Sequence, residues 1–135
     1  MPGTASQHEE AGLVIKPVSW TVSETVARLI EIVVARGMKL FAVIDQGAEA
    51  RQVGLELRDT VLVIFGSPKA GTPVMAAAPL AALDLPLKVL VWDDGGQTRI
   101  TYYDPGELAA RHNLSPELAR NLAGIDALIA ALIAS

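Results

Sequence analysis

The sequence predicts an α/β (α+β) domain: a single mixed β-sheet of about five strands with helices packed on it. Three observations carry that prediction. Short apolar runs of strand length alternate with stretches of helical period, in the order β-α-β-α-β-α-β-β-α-α. An Asp94-Gly95 pair sits between two such runs, which is the chemistry of a tight hairpin turn. Capping residues stand where the helices should begin: Thr21, Asp104 and Ser115.

Composition fits that class. A chain of 135 residues with 51% hydrophobic and 19% charged residues can bury a core without cross-links. Its net charge of −4, from 11 basic and 15 acidic residues, leaves no basic patch of the kind nucleic acid requires, so no nucleic-acid partner is expected. With no cysteine there are no disulfides, thiolate nucleophiles or thiolate metal sites. Apolar runs stay far below the roughly 20 residues of a membrane span. The opening "MPGTASQHEEAG" is polar and lacks the apolar centre of a signal peptide, so residues 1–12 are expected to be a disordered tail before a single domain over 13–135, with a cytoplasmic location.

Taken in order, "LVIKPV" (Leu13–Val18) reads as a short strand, placed at an edge by Pro17. The stretch from Thr21 to Gly37 reads as a helix. Thr21 and Glu24 have capping-box spacing; Val22, Val26, Leu29, Ile30 and Val33 share one face, and Gly37 supplies the end. "KLFAVID" (Lys39–Asp45) is the next strand and "GAEARQVG" a short helix closing at Gly54. "TVLVIF" (Thr60–Phe65) is apolar at nearly every position, the pattern of a strand covered on both faces. Leu87–Trp92 and Thr98–Tyr103 form the hairpin arms around Asp94-Gly95. Two helices then start at Pro105 and Pro116. The last carries Leu118, Leu122, Ile125, Ile129 and Leu132 along one seam.

Between Phe65 and Met75, "GSPKAGTPVM" resembles a phosphate loop at first glance. A nucleotide-binding loop needs Lys directly after its second glycine, so that the ammonium reaches the terminal phosphates. Here Lys69 lies between Gly66 and Gly71, and Pro73 removes an amide where an anion would sit. A turn with Thr72 capping a following helix is the simpler reading. A small anionic ligand near Lys69 and the helix start is the functional alternative.

Other candidates are few. Asp45 and Gln46 end a strand, where α/β proteins place functional groups. Tyr103 ends an outer strand, and His112 closes a helix where a cation is favoured. Arg111 is placed to pair with Glu107 one helical turn away. One histidine within the domain and no cysteine supply no zinc set, so neither metal nor cofactor is expected. Three functions fit. The first is a non-catalytic small-molecule-binding or sensing homodimer using Asp45, Gln46, Gly66, Lys69, Gly71, Thr72, Tyr103 and His112. The second is an enzyme with Asp45 as base, assisted by Tyr103 or His112. The third is a structural or interaction module. The alanine-rich terminal helix, with almost no charge after Asp126, is the expected dimer contact.

The blocks "FGSPKAGTP", "LPLKVLVW" and "YYDP", together with "TVARLIEIVVARGMKLFAVID", resemble domain of unknown function family 302 from about Val14 to the C-terminus. The resemblance implies an α/β single-sheet domain that self-associates and has no settled activity. Members of that family commonly carry histidine after the aspartate matching Asp45; Gln46 stands here, which argues against a universal acid/base or metal-ligand role at this position.

Overall fold

The computed structural model describes residues 12–135; the expected tail lies outside the described residues except for Gly12. Its elements are β1 (Leu13–Val18), α1 (Val22–Ala35), β2 (Lys39–Asp45), α2 (Gln46–Gln52), β3 (Thr60–Gly66), α3 (Pro68–Ala77), a 3₁₀ turn (Pro79–Leu83), β4 (Leu87–Asp94), β5 (Gln97–Tyr103), α4 (Pro105–Arg111), α5 (Pro116–Ala119) and α6 (Gly124–Ala134). The order is the one the sequence predicts. All five strands join one sheet in the order β1-β5-β4-β3-β2, and every pairing is antiparallel. The first strand therefore lies at one edge and the second at the other, with α1 carrying the chain between them.

Local chemistry sets the helix ends. Glu24 N–H donates to Thr21 Oγ1 at 3.1 Å and Thr21 N–H donates to Glu24 Oε1 at 3.2 Å, closing the capping box. One face of the sheet is sealed by α1 and α6. Val61, Val63, Phe65, Val89, Val91 and Ile100 meet Leu29 and Val33 of α1 and Ile125, Leu128, Ile129 and Leu132 of α6. The Tyr102 hydroxyl donates to Asp126 Oδ1 at 2.7 Å, tying β5 to α6. Burial raises the Tyr102 pKa, and the neighbouring Asp126 carboxylate adds to the effect.

Three expectations are corrected. β3 is covered on one face only: Val61, Val63 and Phe65 are buried, while Leu62 and Ile64 are half-exposed beside Leu90 and Lys88. Its apolar run belongs to an internal strand, paired on both edges by β2 and β4. The final helix is broken, because α5 ends after one turn and the chain turns again before Gly124. The α6 seam expected to meet another subunit is buried within the chain itself.

Candidate functional site

The strand register defines two ends of the sheet. Leu40, Phe65 and Leu87 lie side by side at one end, and Tyr103 lies across from Leu13 at the same end. At the other end, Asp45 faces Val61, Thr60 faces Trp92, and Trp92 faces Arg99. The candidate site lies at the first end, where β3 runs into α3.

Gly66 is the last residue of β3, and Ser67 caps α3 by accepting a hydrogen bond from Ala70 N–H at 3.3 Å, with Pro68 as the first helical residue. This corrects the expected helix start at Thr72: the helix opens five residues earlier, and Lys69, Gly71, Thr72 and Pro73 are all inside it. Two of the first amides of α3 are already occupied, since Ala70 N–H donates to Ser67 Oγ and Gly71 N–H to the Ser67 carbonyl. The resemblance to a phosphate loop ends there.

A cavity of about 400 Å³ opens against this junction. Its wall on the α3 side is Pro68, Ala70, Gly71, Thr72 and Met75. Leu85, Pro86 and Leu87 close it from the segment entering β4, where the Leu85-Pro86 peptide is cis. Met38 and Phe41 come from around the start of β2, and Asn121, Leu122, Gly124 and Ile125 from the turn into α6. No lining residue carries an ionisable side chain; the polar side chains are those of Ser67, Thr72 and Asn121. Asn121 Nδ2 donates to the Ala70 carbonyl at 3.0 Å, fixing the turn to α3. Three glycines thin the wall. A Cβ on Gly124 would meet nothing within 4 Å, and one on Gly71 would only touch Met75 and Leu85 at ordinary contact distance.

Of the residues singled out from the sequence, Gly66, Gly71 and Thr72 line this cavity. Lys69 lies in α3 but not on the cavity wall. Asp45 and Gln46 sit at the far end of the sheet, where Asp45 Oδ1 accepts from Ala48 N–H at 2.9 Å and caps α2. A smaller cavity of about 210 Å³ adjoins them, lined by Asp45, Asp59 and mainly valines. Among the described residues, no group of three or more His, Cys, Asp or Glu is placed to hold a metal ion.

Tyr103 and His112 belong to a separate cluster. His112 Nε2 lies 2.6 Å from Asp84 Oδ2, and Arg111 Nη1 donates to both Asp84 oxygens at 3.2 and 3.3 Å. The same Arg111 guanidinium stands 5.2 Å from the Tyr103 ring centre. Arg111 thus pairs with Asp84, not with Glu107 as its helical spacing suggests. Burial pushes the Asp84 carboxyl upward, but the hydrogen bond from His112 and the Arg111 charge outweigh it and hold the group below its ordinary value. Because Asp84 immediately precedes Leu85-Pro86-Leu87, this cluster anchors one wall of the main cavity to α4.

Fold and site together define a small α+β domain with a neutral, mainly apolar cavity beside the β3–α3 junction. The DUF302 family model, described as a domain of unknown function, matches residues 14–132, and the chain belongs to that family. A solved DUF302 protein from Bacillus stearothermophilus, itself uncharacterized, superposes with a TM-score of 0.77 over 92% of this chain and 97% of that one at 24% identity, a likeness of fold. Among curated proteins, the chain is 41% identical over 106 residues to a Brucella suis protein named fluoride-specific ion channel FluC 1, covering 78% of this chain and 42% of that one. A Brucella melitensis protein named fluoride-specific ion channel FluC 2 gives the same identity, covering 39% of its length. The chain therefore spans about two fifths of the curated relatives it matches. Among the described residues, no helix is long and apolar enough to cross a membrane.

Proposed function

We propose that this domain is a non-catalytic small-molecule-binding or sensing module that works as a homodimer, with the cavity at the β3–α3 junction as its site. The observation that carries the ligand reading is the cavity's composition: apolar walls, bare backbone at three glycines, and no ionisable side chain. A charged ligand there would lose its hydration without gaining a counter-ion, a cost of several kcal/mol. The ligand that fits is neutral and mostly apolar, with one hydrogen-bonding end to meet Ser67, Thr72 or Asn121. This replaces the small anion that the sequence suggested around Lys69.

The enzyme reading loses its geometry. A base at Asp45 and an acid at Tyr103 or His112 have to converge on one substrate atom. The register puts Asp45 at one end of the sheet and Tyr103 at the other, and His112 is engaged with Asp84. In the curated relatives the matching part is a minority of a chain named for fluoride conduction.

Thermal melts against a panel of neutral apolar compounds test the proposal, with small anionic metabolites as the comparison. Neutral compounds should raise the melting temperature, and Gly71→Leu, whose Cβ would face Met75 and Leu85 of the cavity wall, should abolish the rise, with circular dichroism checking that the fold is intact. Lys69→Ala should change nothing. A response confined to anions, or one that survives Gly71→Leu, would sink the reading.

A further inference from the structure

The wall of the cavity at the β3–α3 junction differs in composition from the rest of the interior. Of the chain's three methionines, Met38 and Met75 both stand on it. The two buried clusters of the domain are built mainly from valine, leucine and isoleucine. Methionine is unbranched and polarisable, so it adapts to what it meets and makes favourable sulfur contacts with aromatic rings. Phe41 is the one aromatic side chain among the lining residues, and an irregularity in β2 accompanies it. Leu40 pairs with Phe65 and Ala42 with Ile64, which leaves Phe41 as the extra residue of a bulge. Bulges re-aim a side chain, and here the Phe41 ring lies on the cavity wall with the residue 44% exposed. The Lys39 ammonium, 5.1 Å from the ring centre, helps to hold it. Much of the α3 side and the segment before β4 is Pro68, Ala70, Gly71 and Pro86, which lose no rotamer freedom when a rigid molecule lies against them.

We infer that the ligand of this cavity is a neutral, planar aromatic molecule of about two fused rings with one polar group, and that Phe41 selects for its aromaticity. A saturated molecule of the same outline gains the same burial. It gains neither the ring–ring contact with Phe41 nor the sulfur contacts with Met38 and Met75. A flexible chain of equal size loses more internal freedom on binding than a rigid ring system does. Size follows from volume. An apolar cavity of about 150 Å³ accommodates benzene, and one of about 400 Å³ has room for a second ring. The polar group meets the few polar side chains of the wall, as the neutral ligand already proposed does.

This deepens the ligand half of the proposed function and rests on it. Two probes test it: 2-naphthol and decahydro-2-naphthol share a skeleton and a hydroxyl and differ in aromaticity and planarity. Calorimetric titration of the whole chain should show 2-naphthol binding about fivefold more tightly. Phe41→Leu should bring the two affinities together, and Phe41→Tyr should keep them apart, with circular dichroism checking that both variants fold. In the unaltered chain, 2-naphthol should shift the Met38 and Met75 methyl resonances through its ring current, which decahydro-2-naphthol lacks. Equal binding of the two probes, a preference that survives Phe41→Leu, or methionine methyls that do not respond to 2-naphthol overturns the aromatic ligand and leaves the neutral apolar site standing. Binding of neither probe, where other neutral compounds raise the melting temperature, does the same. Failure of every neutral compound overturns the aromatic ligand and the ligand reading together.

Discussion

Between the sheet and the α1–α6 pair, the core is made of large branched side chains: Leu29, Val63, Ile100, Leu128 and Ile129 are fully shielded from solvent. The cluster beside α3 is built from fewer and smaller pieces, Val74, Ala81, Leu108 and Leu122, and the 400 Å³ cavity lies against it. No cavity opens among the fully buried side chains named for the first region, and the second leaves space. Packing holds the first together. Side-chain hydrogen bonds hold the second: a serine cap, an asparagine strut and the Asp84 anchor. That division lets the body be stable while the site stays open.

Truncation should separate the two regions most sharply. Leu128→Ala removes a side chain enclosed on all sides and should cost about 3–4 kcal/mol in denaturant unfolding. Val74→Ala, beside the cavity, should cost roughly half that, since fewer methyl groups are lost. Equal costs would mean that the smaller cluster is packed as firmly as the main core. Next in size is Tyr102→Phe. Losing the hydroxyl leaves Asp126 without its 2.7 Å partner and should cost about 1–2 kcal/mol in thermal unfolding at neutral pH.

Ser67→Ala addresses the site in particular. Loss of the α3 cap should cost about 1 kcal/mol, and amide exchange should speed up at Ala70 and Gly71 while α6 is unaffected. The smallest effect concerns acid. Asp84 is held below its ordinary carboxylate value when folded, so its contribution is complete above the unfolded pKa and vanishes as pH falls through the lower folded one. Asp84→Asn should therefore cost less than about 1 kcal/mol at pH 7, and its melt should converge with that of the unaltered chain in acid. A gap that widened on acidification would reverse the assigned sign.

What could be read from the sequence follows the range of each interaction. The Thr21–Glu24 box, the hairpin at Asp94-Gly95 and the proline-led starts of α4 and α5 are local, and all are present. Ser67-Pro68 has the same form as Asp104-Pro105 and Ser115-Pro116, a local signal for the start of α3 that Thr72-Pro73, beside the second glycine, duplicates. The break before α6 has a weaker signal, a single glycine at 124. The Asp84 partnership with Arg111 and His112 had none, because it joins residues 27 and 28 positions apart. The cavity was partly visible, through Gly66, Gly71 and Thr72. Its other walls come from the start of β2, the approach to β4 and the turn into α6, which no single window of sequence displays. For the same reason α6 looked like a subunit contact: an apolar helix reads alike whether it meets its own sheet or another chain.

The position of β1 bears on how the chain assembles. From β2 to β5 each strand adds to the one made just before it, so those contacts close over modest spans. β1 has no such neighbour; it waits for β5, about two thirds of the domain's length away. The entropy of closing that longest loop comes late and rewards only one edge strand. On a growing nascent chain, the first strand emitted is thus the last to find its place, and until it docks the edge of β5 stands open as the nucleus for mispairing.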